Sequence, residues 1–146
     1  MKTIDMLVAE DACRTLVQTG ADAVDAGDAA GFAALFTPDG VLVRPDGSQL
    51  QGPTAIAQAY AARDPDRLTQ HLLCNHQVEV DIAQGRAVSR CKVLLWSGRH
   101  SAVPGKQGRP AEGPVQVGAF LDTLRQTPDG WRIHNRHAHF ILYRDG

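Results

Sequence analysis

The sequence predicts an α+β fold in which helices come first and long antiparallel strands follow, the helices covering one face of a curved sheet. Three observations predict it. Apolar residues recur at spacings of three and four through the first part of the chain, which is the period of a helix. From about Leu72 onward they alternate with polar residues, which is the period of a strand. No linker or internal repeat interrupts the chain, and 146 residues suit one domain, 1–146, around a single core.

Ile4 to Val24 reads as the first helix. Ile4, Leu7, Val8, Cys13, Leu16, Val17, Ala21 and Val24 follow the helical period, and Thr3 is placed to cap the start. Gly20 weakens the pattern and predicts a bend. Asp25-Ala26-Gly27-Asp28 is a break, with Gly27 as the stop and Asp28 as the next N-cap. A short second helix carries Phe32, Leu35 and Phe36 inward. Thr37-Pro38-Asp39-Gly40 reads as a turn. Val41 to Arg44 is a short strand, closed by Pro45-Asp46-Gly47, with Leu50-Gln51 returning beside it. Gly52-Pro53-Thr54 opens a third helix, Thr54 to Arg63, with Ile56 and Tyr60 on one face. Asp64-Pro65-Asp66 ends it.

Four strands complete the chain. The first runs from about Leu72 to Ile82, with His71 at its entrance, and turns at Gln84-Gly85. The second runs from Ala87 to about Arg99. His100 to Pro114, rich in Gly, Pro and Lys, is a long hairpin loop placed to act as a lid or an oligomer contact. The third strand is Val115 to Thr127, Pro128-Asp129-Gly130 is a hairpin signal, and Trp131 to Tyr143 is the last strand. Long strands must twist and curl. Helices laid across the concave face leave a tapering cavity, which is a natural small-molecule site.

The totals narrow the function classes. A net charge of −1 and a pI near 6.6 give no electrostatic case for nucleic acid or an anionic membrane as partner. No apolar run approaches the roughly 18 to 20 residues that cross a bilayer. The N-terminus lacks an apolar signal segment and carries Asp5, Glu10 and Asp11, so a cytoplasmic protein is expected. Cys13, Cys74 and Cys91 are odd in number with no CxxC spacing, and read as buried, reduced thiols. His137 and His139 share a strand face, with His134 on the opposite one, but two ligands without a carboxylate at ligand spacing do not make a metal site. The glycines sit in turns, and none forms a phosphate loop. Neither a metal nor a cofactor is expected.

Several runs together resemble a known group. They are Val24-Asp25-Ala26-Gly27-Asp28, Leu35-Phe36-Thr37-Pro38-Asp39-Gly40, Gly52-Pro53-Thr54-Ala55-Ile56, Thr69-Gln70-His71 with Asn75, Phe120-Leu121-Asp122-Thr123-Leu124, and Asp129-Gly130-Trp131-Arg132-Ile133 with Arg136. In order and spacing they are similar to the SnoaL-like branch of the nuclear transport factor 2-like superfamily. That resemblance implies a cone-shaped, cystatin-like α+β barrel with the sheet wrapped around the N-terminal helices. It covers nearly the whole chain. Two enzyme patterns of the superfamily match in part. The hexachlorocyclohexane dehydrochlorinase pattern matches at Asp25, at His71 followed four residues later by Asn75, and at Arg136 five residues after Trp131. Its lysine five residues before the aspartate is Gly20 here. The scytalone dehydratase pattern matches at Asp25 and His71, and its tyrosine before the aspartate is Val24 here.

The resemblance implies a dyad. An aspartate that accepts a hydrogen bond from one imidazole nitrogen fixes the tautomer and makes the other nitrogen the stronger base. On this reading His71 moves a proton, Asp25 orients it, Arg136 stabilises developing negative charge, and Asn75 adds a hydrogen bond. Asp122 is a second acid/base candidate, and Phe36, Tyr60 and Trp96 are expected to wall the substrate cavity. Each residue also has a plainer reading. His71 can be a core or surface residue, Asp25 a helix-end residue, Asn75 a bulge residue, and Arg136 the partner of Asp122 in a sheet-face ion pair. Two functions follow: a cofactor-independent lyase or isomerase acting on a small, largely apolar substrate, or a non-catalytic small-ligand-binding or oligomerisation module. In either case the apolar outer face of the sheet, with Val115, Val117, Ile141 and Leu142, predicts a homodimer or homotrimer.

Overall fold

The computed structural model describes all 146 residues. Helix α1 spans Ile4–Asp25, α2 Ala29–Ala33 and α3 Gly52–Ala61. The strands are β1 Phe36–Val43, β2 Gln49–Gln51, β3 Arg67–Asp81, β4 Arg86–Arg99, β5 Val115–Thr127 and β6 Gly130–Arg144. They form one six-stranded sheet in the order β2-β1-β6-β5-β4-β3, antiparallel except for the β1–β6 pair, which is parallel. The fold is α+β, a mixed curved sheet covered on its concave face by the helices. No helix is long and apolar enough to cross a membrane.

Thr3 caps α1 by accepting a hydrogen bond from the Met6 amide. The helix then runs unbroken through Gly20, so the expected bend is absent. Gly20 is buried, and a side-chain carbon there would stand 3.5 Å from the Phe32 ring. Burial of α1 begins at Glu10, and Ile4, Leu7 and Val8 are exposed. Gly27 adopts a positive φ of 73° past the helix end, and Asp28 caps α2 through the Gly31 amide.

Three boundaries differ from the sequence reading. Phe36 opens β1 instead of closing α2. Thr37-Pro38-Asp39-Gly40 is a bulge inside β1, because the β6 pairing jumps from Phe36–Ile133 to Val41–Asn135. Only glycine fits at its end, since a Cβ on Gly40 would lie 2.9 Å from the Thr37 carbonyl oxygen. And β3 starts at Arg67, so His71 lies inside the strand and not at its entrance. The segment between β4 and β5 is exposed, with only the short bridges Gly98–Ala111 and Gly105–Gly108.

The main core joins α1, α2, α3 and the sheet through Leu16, Phe32, Phe36, Leu42, Ile56, Leu124, Trp131 and Ile133. A smaller cluster of Val17, Cys91 and Val93 packs under Leu73 and Phe120. Cys13 and Cys91 are buried, and burial pushes their thiols up to about 12 and about 11, so neither is a nucleophile. Cys74 is exposed, contrary to expectation.

Candidate active site

Asp25 is the last residue of α1, where a carboxylate meets the negative end of the helix dipole. That position is disfavoured by about 0.3–1 kcal/mol, so it does not serve the helix. Strand β3 supplies the compensation. Asp25 Oδ1 accepts from the Thr69 hydroxyl at 2.8 Å and lies 2.5 Å from His71 Nδ1, while Oδ2 accepts from the His71 backbone amide at 2.8 Å. Thr69 and His71 are two apart on a strand and share a face, so one carboxylate reaches both. The side chains of His71 and Asp25 are only 13% and 14% exposed, so solvent screens the pair weakly.

Burial alone disfavours the Asp25 carboxylate. The hydrogen bonds from the His71 ring and backbone, the imidazole itself and Thr69 outweigh it and hold its pKa below the usual carboxylate value. An ionised Asp25 has no hydrogen to give, so in the neutral ring His71 Nδ1 is the donor. Nε2 then has no partner within the protein, and His71 lines the cavity described below.

Two of the sheet's bulges set which side chains near His71 and Arg136 face inward. In β3, the pairing passes from Cys74–Lys92 to Gln77–Arg90, one extra residue on β3. Asn75 takes a left-handed φ of 51° there, a conformation that asparagine tolerates. Upstream of it Thr69, His71 and Leu73 face the helices, and downstream His76, Val78 and Val80 do. In β6, the pairing passes from Ile133–Leu124 to Asn135–Thr123, leaving one extra residue. Trp131 and Arg136 are five apart and would oppose each other on a regular strand, yet both are buried inside.

Arg136 and Asp122 are cross-strand partners on β6 and β5. Their side chains are 3% and 0% exposed, and Nε and Nη2 donate to the two carboxylate oxygens at 2.8 and 2.9 Å. Burial opposes the Arg136 charge, but Asp122 more than restores it and the arginine pKa is raised. The guanidinium also lies 4.1 Å from the centre of the Phe120 ring. Its charge is therefore balanced, and what it offers the cavity is the remaining Nη1 donor.

The cavity holds about 590 Å³, within the range of small-ligand sites. Its apolar wall includes Val24, Phe32, Leu42, Leu95 and Phe120, and its polar groups include His71, Arg136 and Tyr60. Asp25 stands behind His71. Four expected site residues are placed elsewhere. Phe36, at the start of β1, pairs with Ile133 of β6 and belongs to the core. Asp122 lies beneath Arg136 and does not line the cavity. Asn75 is exposed because the bulge turns it out, and Trp96 is 40% exposed on the opposite sheet face from Leu95. None of residues 101–114 lines the cavity, so that segment is not a lid in this conformation. Sequence reasoning gave no role to Thr69, which strand alternation ties to His71, or to Arg44, Arg63 and Arg67, which also line the cavity.

Comparison with known proteins agrees with this architecture. A family described as a SnoaL-like domain matches residues 5–137. Among solved structures, a Novosphingobium aromaticivorans protein provisionally named a scytalone dehydratase superposes with a TM-score of 0.81 at 18% identity, over 99% of this chain and 92% of that one. A type 2 hexachlorocyclohexane dehydrochlorinase gives 0.80 at 14% identity, over 98% and 92%. A Mycobacterium tuberculosis protein of unknown function gives 0.75 at 22% identity, over 97% and 77%. At these identities the likeness is one of fold. No curated protein matches the sequence.

Proposed function

The chain belongs to the SnoaL-like domain family, and from that premise we propose that it is a cofactor-independent lyase or isomerase working through Asp25 and His71. One observation carries the reading: His71 Nδ1 is held by the Asp25 carboxylate at 2.5 Å while the same ring lines an internal cavity. A fixed tautomer with a free Nε2 is a general base aimed at whatever the cavity holds. The substrate is a small, largely apolar molecule with a carbon-bound or hydroxyl proton made removable by a neighbouring carbonyl or leaving group. In an elimination, Nε2 takes the proton, the C–H electron pair becomes the new double bond, and the leaving group departs with its own pair. In an isomerisation the proton returns to a different carbon. Arg136 Nη1 hydrogen-bonds the oxygen or leaving group that gathers negative charge. These steps require neither metal nor nucleotide.

The test is a panel of small ring hydroxyketones and halides followed by proton NMR in deuterium oxide. Turnover that depends on His71 supports the reading. Cavity binding of the same compounds by wild type with no proton chemistry supports a ligand-binding module instead.

We also propose that the protein is a homodimer or homotrimer. Leu72, Leu94, Val117 and Leu142 are successive cross-strand partners across β3, β4, β5 and β6. They form an apolar row on the face turned away from His71, extended by Trp96. Exposed rows of this kind favour self-association. Light scattering is expected to return two or three times the 15.7 kDa chain mass, and a monomer at micromolar concentration would contradict it.

A further inference from the structure

Three arginines line the open end of the cavity: Arg44 just past β1, Arg63 just past α3, and Arg67 at the start of β3. None has a carboxylate oxygen within 4.0 Å, unlike Arg99 with Asp66 and Glu112, Arg125 with Asp39, or Arg136 with Asp122. Arg63 instead lies over the Tyr60 ring, 4.3 Å from its centre. Burial disfavours its charge, Tyr60 and Asp25 favour it, and the like charges of Arg67 and Arg44 disfavour it, with the balance below the usual arginine value. The one carboxylate that lines the cavity, Asp46, is engaged by Ser48 at 2.6 Å through its hydroxyl and 2.9 Å through its amide. Behind the mouth, Asp25 is engaged by Thr69 and His71, and Asp64 accepts from the Asp66 amide at 2.9 Å. Arg44 donates to the same Ser48 hydroxyl at 2.9 Å and so is tied to Asp46, which leaves Arg63 and Arg67 as the cations of the mouth without an anionic partner, above an apolar interior.

From this arrangement we infer that the cavity takes an organic anion, a carboxylate on an apolar ring body, with Arg63 and Arg67 holding the carboxylate at the mouth and the ring lying toward His71. Guanidinium groups pair with carboxylates through two parallel hydrogen bonds, so a bound anion relieves their mutual repulsion and fixes the ligand's direction. Arg67 and His71 share a strand face four residues apart, roughly 13 Å along the strand. A molecule touching both is therefore extended, with its reactive carbon at the end far from the charge. The inference rests on the functional reading above for what happens at that carbon, but its binding half stands separately.

The test is equilibrium binding of 2-naphthoate against 2-naphthamide, measured by titration calorimetry and by shifts of arginine side-chain NMR signals. The wild type is expected to bind the naphthoate at least about tenfold more tightly than the neutral amide at low salt, with the preference shrinking as salt rises. The double substitution Arg63→Gln and Arg67→Gln is expected to reduce the preference to within about twofold, while Arg90→Gln on the outer face leaves it intact. Equal affinity for the two probes, absence of naphthoate binding, or a preference that survives the double substitution would each overturn the inference. Because no turnover is read, failure here leaves the His71 chemistry standing. Loss of proton chemistry in the substrate panel would leave the anion site standing in turn.

Discussion

Replacement of His71 by alanine is expected to lower turnover by about 10²- to 10⁴-fold, the usual contribution of a positioned acid/base group, with the fold retained. The two halves of that expectation come from different bonds. The ring supplies Nε2 to the cavity and Nδ1 to Asp25, and both are lost with it. The tie between α1 and β3 does not depend on the ring. The His71 backbone amide still donates to Asp25 Oδ2 and Thr69 still donates to Oδ1, each at 2.8 Å in the wild type. The circular dichroism spectrum and unfolding midpoint of His71→Ala should therefore stay close to wild type while the rate collapses. A variant that keeps its rate refutes the base. Asp25→Asn should lower the rate as well, because an amide can present either an oxygen or a nitrogen to Nδ1 and no longer fixes the tautomer. That variant also weakens the α1–β3 tie, so His71→Ala is the cleaner measurement.

Substitution of Asp122 by alanine is expected to destabilise the protein by about 3–5 kcal/mol, the cost of leaving a buried charge without its partner. Arg136 keeps its guanidinium against Phe120 and inside the sheet, with both strong acceptors gone. Asp122→Asn should cost nearly as much, since it keeps the shape and removes the charge. Replacing both residues by apolar ones, Asp122→Leu with Arg136→Met, should recover much of the loss, because neither charge then needs compensation. Urea unfolding measures all three. A loss below about 1 kcal/mol for the single substitutions, the level of an exposed pair, would mean that water reaches the ion pair. The same logic assigns the two carboxylates different work: in the proposed mechanism Asp25 orients a base, whereas Asp122 holds an arginine in place.

Much of this architecture is present in local sequence pattern. The helical period of α1, the cap at Thr3, the stop at Gly27 and the alternation of β4 and β5 correspond to their observed elements because each depends on neighbours in the chain. The Asp25–His71 pairing came from the resemblance to a family, since nothing local links residues 46 apart. What pattern could not supply was parity. One extra residue near Asn75 and another near His134 reverse the faces of β3 and β6, and the alternation on either side of each bulge looks regular by itself. For that reason Asn75 reads as a neighbour of His71 when it points outward. For the same reason Trp131 and Arg136 seem to oppose each other when both face in. For Trp96 and Phe36 the sequence offers aromatic character alone, which does not distinguish outer face, core and cavity wall. The arginine mouth was hidden differently, because Arg44, Arg63 and Arg67 come from three separate element ends that only the folded chain brings to one cavity.

In the proposed mechanism Asp25 fixes His71 as the Nδ1-protonated tautomer with Nε2 free in the cavity. Nitrogen-15 NMR of the His71 ring measures this without any substrate. In the neutral ring, the expected result is a proton-bearing nitrogen at Nδ1, with a hydrogen-bonded signal shifted strongly downfield, and an unprotonated Nε2. A proton on Nε2, or rapid exchange between the two tautomers as in a free imidazole, would contradict it.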